Sequence, residues 1–487
     1  MSGLTRRDFI RSSMAVGAGL ALATPFSRAQ GANDDIRVAV VGVGGQGGGH
    51  MNYFSGCQGA RLVAICDPDK DHLESKAKDF ESRGGGTLKT YSDVRELLDD
   101  KEIDAITSAT PNHWHALVTI WACQAEKDVY IEKPASHNIW EGRKMVEAAR
   151  KHDRIVQVGT QRRSSEAYIG AYNYINEGHI GAVKWVRGFC YKARGLGTNG
   201  IVNGTNGPNP LPQTIDYNLW CGPADMEPLR RRELHYKWHW VWNTGNGDLG
   251  NQGVHEMDES RWALGDVKLT APAISIGGRF GVHDAGQTAN SQIIYFDYKP
   301  APLIFEVRGL PMAKNQRAMD AYRGTRIGVV VQCENGYFAA GEGGGWIYDN
   351  DGNRLEQFTG SGGNHHQNFI DAVRNHKAED LHADIEVGHY SAALCHMGNT
   401  SYRLGKAASP EEIRSAVADY PELAASFESM LSNLQANEVD LTAEPITLGP
   451  ALTMDPETER YTGQYSELAN MFIKRNYREP FVVPEQV

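Results

Sequence analysis

The sequence predicts an α/β protein of two domains: an N-terminal doubly wound parallel sheet, then a C-terminal α/β domain with an open, mainly antiparallel sheet. Three observations carry that expectation. Short β-branched runs alternate with helix-like stretches over residues 33–160, the rhythm of strand–helix–strand units. A glycine-rich turn follows the first of those runs. From about residue 182 the pattern changes to apolar–polar alternation, which marks strands with one face on a core and the other on water. The chain has 487 residues, 41% hydrophobic and 22% charged, enough for two cores with ordinary composition.

Residues 1–32 read as an export leader and linker ahead of the fold. Thr5-Arg6-Arg7-Asp8-Phe9-Ile10-Arg11 pairs two arginines with an apolar pair, residues 12–26 carry no charge, and Ser27-Arg28-Ala29 offers small residues for cleavage. The paired arginines point to the twin-arginine (Tat) route. The Tat export machinery is then a partner, and the mature protein is expected to be periplasmic or otherwise exported. Seven scattered cysteines without a C-x-x-C form neither a disulfide framework nor a zinc site. That fits folding in a reducing compartment before export. The net charge of −11 argues against nucleic acid or an anionic membrane as partner, since both need a positive field.

Residues 36–41, Ile-Arg-Val-Ala-Val-Val, read as a buried parallel strand. They run into Gly42-Val43-Gly44-Gly45-Gln46-Gly47, a G-x-G-x-x-G followed by a helix-like stretch. In that context the string is the Rossmann dinucleotide fingerprint: Gly42 for the tight turn, Gly44 for close approach to a pyrophosphate, Gly47 for helix–strand packing. The helix N-terminus presents free N–H groups to the phosphates. A second strand over 61–66 ends at Asp67, placed to accept hydrogen bonds from an adenosine ribose. Its charge would repel a 2′-phosphate, so NAD is favoured over NADP. Asp67 also reads as a turn cap, and both roles are compatible. Helices over 72–80 and after Asp93, strands over 104–110, 128–131 and 155–159, and helices over 114–124 and 140–152 complete the doubly wound pattern.

Ligands in such sheets lie beyond the carboxyl ends of the strands. Lys133, in Glu132-Lys133-Pro134, stands at such an end. The second domain, residues 161–439, shows alternating strands over 183–191, 273–279, 291–298, 303–307 and 327–333. Helices follow over 366–375, 386–404 and 410–417. Residues 440–487 look like a loop-rich wrapping segment. His389 and His396 share a helix face with Glu386 nearby; helix packing explains them better than a metal, and no metal is expected.

The glycine fingerprint, Thr110-Pro111-Asn112 with His115, and Glu132-Lys133-Pro134 together resemble the Gfo/Idh/MocA oxidoreductases. The C-terminal His365, Asn368-Phe369, His389-Tyr390-Ser391 and Arg403-Leu404-Gly405 are also similar to that family. The resemblance implies an NAD(P)-dependent oxidoreductase acting on a sugar, cyclitol or glycoside, often as a dimer or tetramer. It implies cofactor contacts from Gly42, Gly44, Gly45, Gln46, Gly47, Asp67, Thr110, Pro111, Asn112, His115, Glu132 and Lys133. The family's reacting lysine falls on Lys133, whose ammonium would stabilise a developing alkoxide. Its Asp-x-x-x-His falls on Asn251 and His255: the histidine is present, but an amide stands where the carboxylate is expected. Asp248 and Asp258 are the nearby alternatives. Tyr236 and His239, in an aromatic stretch, and Arg162, after the last Rossmann strand, are further substrate candidates. An exported dehydrogenase without free NAD outside the cytoplasm implies tightly held NAD recycled on the enzyme. The alternative is an NAD-dependent glycoside hydrolase working by transient oxidation, elimination and re-reduction. A non-catalytic sugar-binding protein would not need the intact glycines, Asp67, Lys133 and His255.

Overall fold

The computed structural model describes residues 34–194, 201–204 and 207–487; the leader expected at residues 1–32 lies outside them. Six strands form the first sheet: β1 (Ile36–Val41), β2 (Ala60–Cys66), β3 (Lys89–Tyr91), β4 (Ala105–Ser108), β5 (Asp128–Ile131) and β6 (Val156–Val158). All pair in parallel, in the order β3-β2-β1-β4-β5-β6. Five helices cover them: α1 (Gly45–Ser55), α2 (Lys70–Ser82), α3 (Val94–Asp99), α4 (His115–Gln124) and α5 (Ile139–Lys151). Coverage on both faces is why β4, β5 and β6 are buried at every position. The strand order reverses between β1 and β4, which opens a crevice at their carboxyl ends.

The second domain begins with α6 (Glu166–Asn176), β7 (Val183–Tyr191), α7 (Tyr217–Cys221), α8 (Gly247–Asn251) and α9 (Gly253–Ala263). Strands β8 (Ala273–Gly278), β9 (Ser291–Phe296), β10 (Leu303–Arg308), β11 (Ile327–Cys333), β12 (Gly336–Gly341), β13 (Gly344–Asp349) and β14 (Arg354–Thr359) follow. Then come α10 (His365–Asn375), α11 (Ile385–Leu404), β15 (Lys406–Ala408), α12 (Pro410–Ala416), α13 (Pro421–Ala436) and β16 (Ile446–Leu448). Ten strands make one sheet in the order β14-β13-β12-β11-β7-β10-β9-β8-β16-β15. Every neighbouring pair is antiparallel except β7 with β10.

Two features differ from the sequence expectation. The outer face of the sheet is not left bare: α12 and α13 lay Ile413, Phe427, Met430 and Leu431 against Ile276, Ile293, Tyr295 and Ile304. The final segment is not merely loop, since it adds β16 to the sheet, the hairpin β17 (Thr453–Asp455) and β18 (Arg460–Thr462), and α14 (Ser466–Asn470). These strands have three residues each, too few for alternation to show. The segment then returns to the first domain, where the Trp140 N–H donates to the Ile473 carbonyl at 3.1 Å and Phe481 packs edge-on to Trp114.

A strap over residues 207–240 also crosses between domains. The Lys70 N–H donates to the Thr214 carbonyl at 3.0 Å, and the Asp216 N–H to the Pro68 carbonyl at 2.9 Å. The strap therefore closes the end of the crevice beside β2. Among the described residues no helix is long and apolar enough to cross a membrane.

Candidate active site

The turn after β1 is built by two tight approaches. Gly42 has a positive φ of 79°, and a Cβ on it would lie 2.9 Å from the Thr110 nitrogen. A Cβ on Gly47 would lie 1.8 Å from the Gly42 carbonyl oxygen, so α1 can start only where a hydrogen stands. Gly44 and Gly45 are the opposite case. A Cβ on Gly44 would meet only His72 Cε1 at 3.8 Å, and one on Gly45 nothing within 4 Å. Gly44 caps α1 without a side-chain hydrogen bond, leaving N–H groups of the first turn to a ligand. This open cradle over a helix N-terminus fits a pyrophosphate.

A cleft of about 640 Å³ runs from there. Gly42, Gly44, Gly45, Gln46, Asp67, Thr110, Pro111, Asn112, His115, Glu132 and Lys133 line it, with Tyr236, His239 and Asn251 from the second domain. Gly47 packs behind the turn. Asp67 accepts from the Val43 N–H at 2.9 Å through Oδ2 and from the Asp69 N–H at 3.0 Å through Oδ1. It therefore braces the glycine turn while facing the cleft, and its charge suits an unphosphorylated ribose. His115 lies between the Pro134 and Thr110 carbonyl oxygens at 2.7 and 2.9 Å, tying the segment after β5 to the turn after β4. Asn112 donates to the Asn246 side chain at 3.0 Å, which fixes the second domain against the first.

Glu132 and Lys133 sit at the carboxyl end of β5. Glu132 Oε1 receives Gln46 Nε2 at 2.9 Å and lies 2.9 Å from His50 Nε2, while His50 Nδ1 meets the Thr107 hydroxyl at 2.5 Å. Burial opposes ionisation of Glu132, but His50 and then Lys133 outweigh it and hold the carboxyl below the usual range. Lys133 Nζ donates to the Asn251 carbonyl at 3.0 Å. Burial lowers its pKa, against the pull of Glu132 and Glu256.

His255, in α9, is buried, and its Nδ1 has no hydrogen-bond partner. Burial and then the Lys133 charge push its pKa well below the ordinary imidazole value, so the ring is neutral. It is not part of the cleft wall, although the charges of Lys133 and Glu132 both reach it. The two carboxylates considered for the place opposite His255 are engaged elsewhere. Asp248 takes Arg194 Nε at 2.8 Å and Trp240 Nε1 at 3.1 Å. Asp258 takes Arg163 at 2.9 Å and Ser391 at 2.6 Å. Asp258 is thus a buried domain tie, away from the cleft. Arg162 is likewise away from it, held by Glu256 at 3.1 Å and by Glu259. Both were placed by sequence proximity to the site, and ion pairing inside the second domain took them.

The aromatic stretch does reach the cleft. Trp238 stacks on His239 with ring centroids 3.6 Å apart, and Tyr236 lies edge-on to His239 at 5.0 Å. Sequence reasoning missed His50 as the partner of Glu132, and His72 and Lys76 on the wall; His235, at the head of the aromatic and imidazole-rich stretch, reaches the wall with it. His50 follows Gly47 by three residues on the buried face of α1, a spacing that could have shown it. The pairing of His235 with Asp69, 166 residues away, is made by the strap, which no local pattern reveals. On α11, His389 meets Glu459 at 2.9 Å and His396 meets the Ser136 carbonyl at 3.1 Å.

Comparison with known proteins agrees with this architecture. Residues 36–160 match the model of the Gfo/Idh/MocA oxidoreductase family, NAD-binding Rossmann fold, and residues 181–305 that of the family's C-terminal alpha/beta domain. The chain is 34% identical over 155 residues to scyllo-inositol 2-dehydrogenase (NAD(+)) of Bacillus subtilis, covering 32% of this chain and 44% of that one. It is 33% identical over 171 residues to glycosyl hydrolase family 109 protein 2 of Shewanella sp., covering 31% and 38%. The chain thus spans less than half the length of these two relatives. The WlbA dehydrogenase of Bordetella pertussis, solved with NADH and UDP-GlcNAcA, shares the fold with a TM-score of 0.55 at 19% identity, over 76% of this chain and 97% of that one. A glycine cradle at the switch of a doubly wound sheet, a lysine at the end of its fifth strand, and family models matched in order across both domains lead to one conclusion: this chain belongs to the Gfo/Idh/MocA oxidoreductase family, with an NAD-binding Rossmann domain.

Proposed function

We propose that the protein oxidises a secondary alcohol on a sugar, cyclitol or glycoside, with NAD held in the cleft and recycled there. The observation that carries this reading is Lys133: a half-buried ammonium at the carboxyl end of β5, in the same cleft as the glycine cradle and Asp67. When bound, the nicotinamide supplies a hydride acceptor and donor. Lys133 holds the substrate hydroxyl and stabilises negative charge growing on its oxygen. His255, neutral and set behind the cleft wall, takes up the released proton through an intervening water. Trp238 and His239 offer flat faces to the C–H surface of a sugar ring, and the Asn251 amide offers both donor and acceptor at its edge.

Export by the Tat route and a dimeric or tetrameric state belong to the same proposal. The arginine-paired leader supports the first. For the second, the sheet outside α13 leaves Tyr322, Tyr337 and Tyr348 half-buried on β11–β13 and the preceding loop, a surface suited to a second copy.

One observation favours a second reading. Asn251 cannot charge-stabilise an imidazolium, which suits a redox-neutral cycle in which His255 need not stay protonated. Transient oxidation would acidify a neighbouring C–H, an aglycone would leave by elimination, water would add, and the hydride would return. A relative named as a glycosyl hydrolase is consistent with it. The test is to purify the mature protein without added cofactor, denature it, and identify released nucleotide by mass spectrometry. About one NAD or NADH per chain is expected, together with turnover that needs no external cofactor. An empty protein that binds NAD weakly would end the recycling proposal and leave a conventional dehydrogenase.

A further inference from the structure

We propose that Asp69, His72 and His235 form a binding site for a divalent cation of the zinc class, at the rim of the cleft where the strap meets the first domain. One nitrogen from each imidazole and a carboxylate oxygen of Asp69 lie within 4.8 Å of one another. Two neutral imidazoles and one carboxylate are a donor set suited to zinc, cobalt or nickel, with a fourth position left for water. Side-chain rotation of His72, and of the partly exposed His235 on its strap, would bring the donors to bonding distance.

Three further observations point to a cation. Asp67 and Asp69 are both buried, 6% and 5% exposed. Among the described residues neither has a lysine or arginine nitrogen within 4.0 Å; their partners are His72 at 3.6 Å and His235 at 2.9 Å. Both carboxylates also accept backbone N–H groups, but the imidazoles are the only groups able to carry positive charge within that distance. His72 Nδ1 is buried without a hydrogen-bond partner, just too far from Asp67 to be satisfied by it. The two imidazole rings lie with centroids 4.3 Å apart, tilted by 35°, a closeness that two cationic rings would resist and two neutral donors allow.

The three donors come from both sides of the domain junction. Asp69 and His72 begin α2, where Asp69 also caps the helix by accepting the Asp71 N–H, and His235 comes from the strap. An ion here would staple the strap over the ribose end of the cleft.

The test uses the full mature protein, stripped with chelator, and reads binding without substrate, so it stands or falls apart from the proposed reaction. Cobalt(II) is titrated and followed by visible absorption, then displaced with zinc. One equivalent with a four-coordinate spectrum is expected, and His235→Asn and His72→Gln should each weaken it by about tenfold or more. Zinc should also slow tryptic cleavage at Arg230 and Arg232, both exposed on the strap, and should not do so in His235→Asn. Absence of saturable binding, or binding untouched by both substitutions, would overturn the proposal. His235 is on the surface strap, and thermal unfolding in chelator checks that its variant remains folded; if it does not, His72→Gln and the wild-type cleavage pattern decide.

Discussion

At the scale of single residues, the site depends on what burial does to charge. Lys133 lies in the cleft beside Glu132, a carboxylate kept ionised by His50, and donates to a backbone carbonyl rather than to a carboxylate. Its proton is therefore not locked in an ion pair. Replacing it with methionine keeps the volume and removes the charge. The expected result is a fall in kcat of roughly 10²–10⁴-fold with the nucleotide content unchanged; a loss of bound nucleotide instead would make Lys133 a cofactor anchor only. Lys133, Asn251 and the glycines were legible in the sequence because each belongs to a short motif. Arg162 and Asp258 were not separable from the site by sequence, since their partners Glu259 and Arg163 lie about a hundred residues away.

At the scale of elements, the join between β1 and α1 divides its glycines into two kinds. Gly47→Ala forces a Cβ into the Gly42 carbonyl at 1.8 Å, with backbone on both sides of the clash. Chemical denaturation should show a loss of about 3 kcal/mol or more. Gly45→Ala meets nothing within 4 Å, so stability should stay within about 1 kcal/mol, while equilibrium dialysis should show weakened NAD binding because the methyl group stands over the cradle. Equal damage from both substitutions would mean that the cradle is not where the cofactor sits. Sequence motif alone treats these glycines as one string; only the neighbours distinguish packing from binding.

At the scale of the whole molecule, buried histidines couple the fold to pH. His113, His365 and His396 are buried, and desolvation lowers each to about 3. They are neutral in the folded chain and gain protons on unfolding once the pH falls below the ordinary imidazole value. The stability they support is therefore complete above about pH 6.5 and drains away as pH falls toward 3. Each contributes a slope of about 1.4 kcal/mol per pH unit in that window. Urea midpoints should fall steeply between pH 6.5 and pH 5, and less so in His396→Gln; a flat profile would show that these rings are protonated in the native state. All three hold contacts between segments distant in sequence: His113 meets the Trp220 carbonyl, His365 the Val158 carbonyl and His396 the Ser136 carbonyl. Acid should thus loosen the domain junction together with the cores.

The sequence by itself determined the two-domain α/β plan, the dinucleotide fingerprint and the lysine at the end of β5. Each is a local signal: period-two or continuous apolar strands, glycines where a Cβ has no room, and a charged residue stationed at a strand terminus. Tertiary structure alone decided which charged groups face the cleft, that α13 covers part of the second sheet, and that a strap brings His235 to Asp69. Those outcomes depend on contacts between residues from tens to more than two hundred positions apart, where burial energy and ion pairing choose partners that no window of sequence contains.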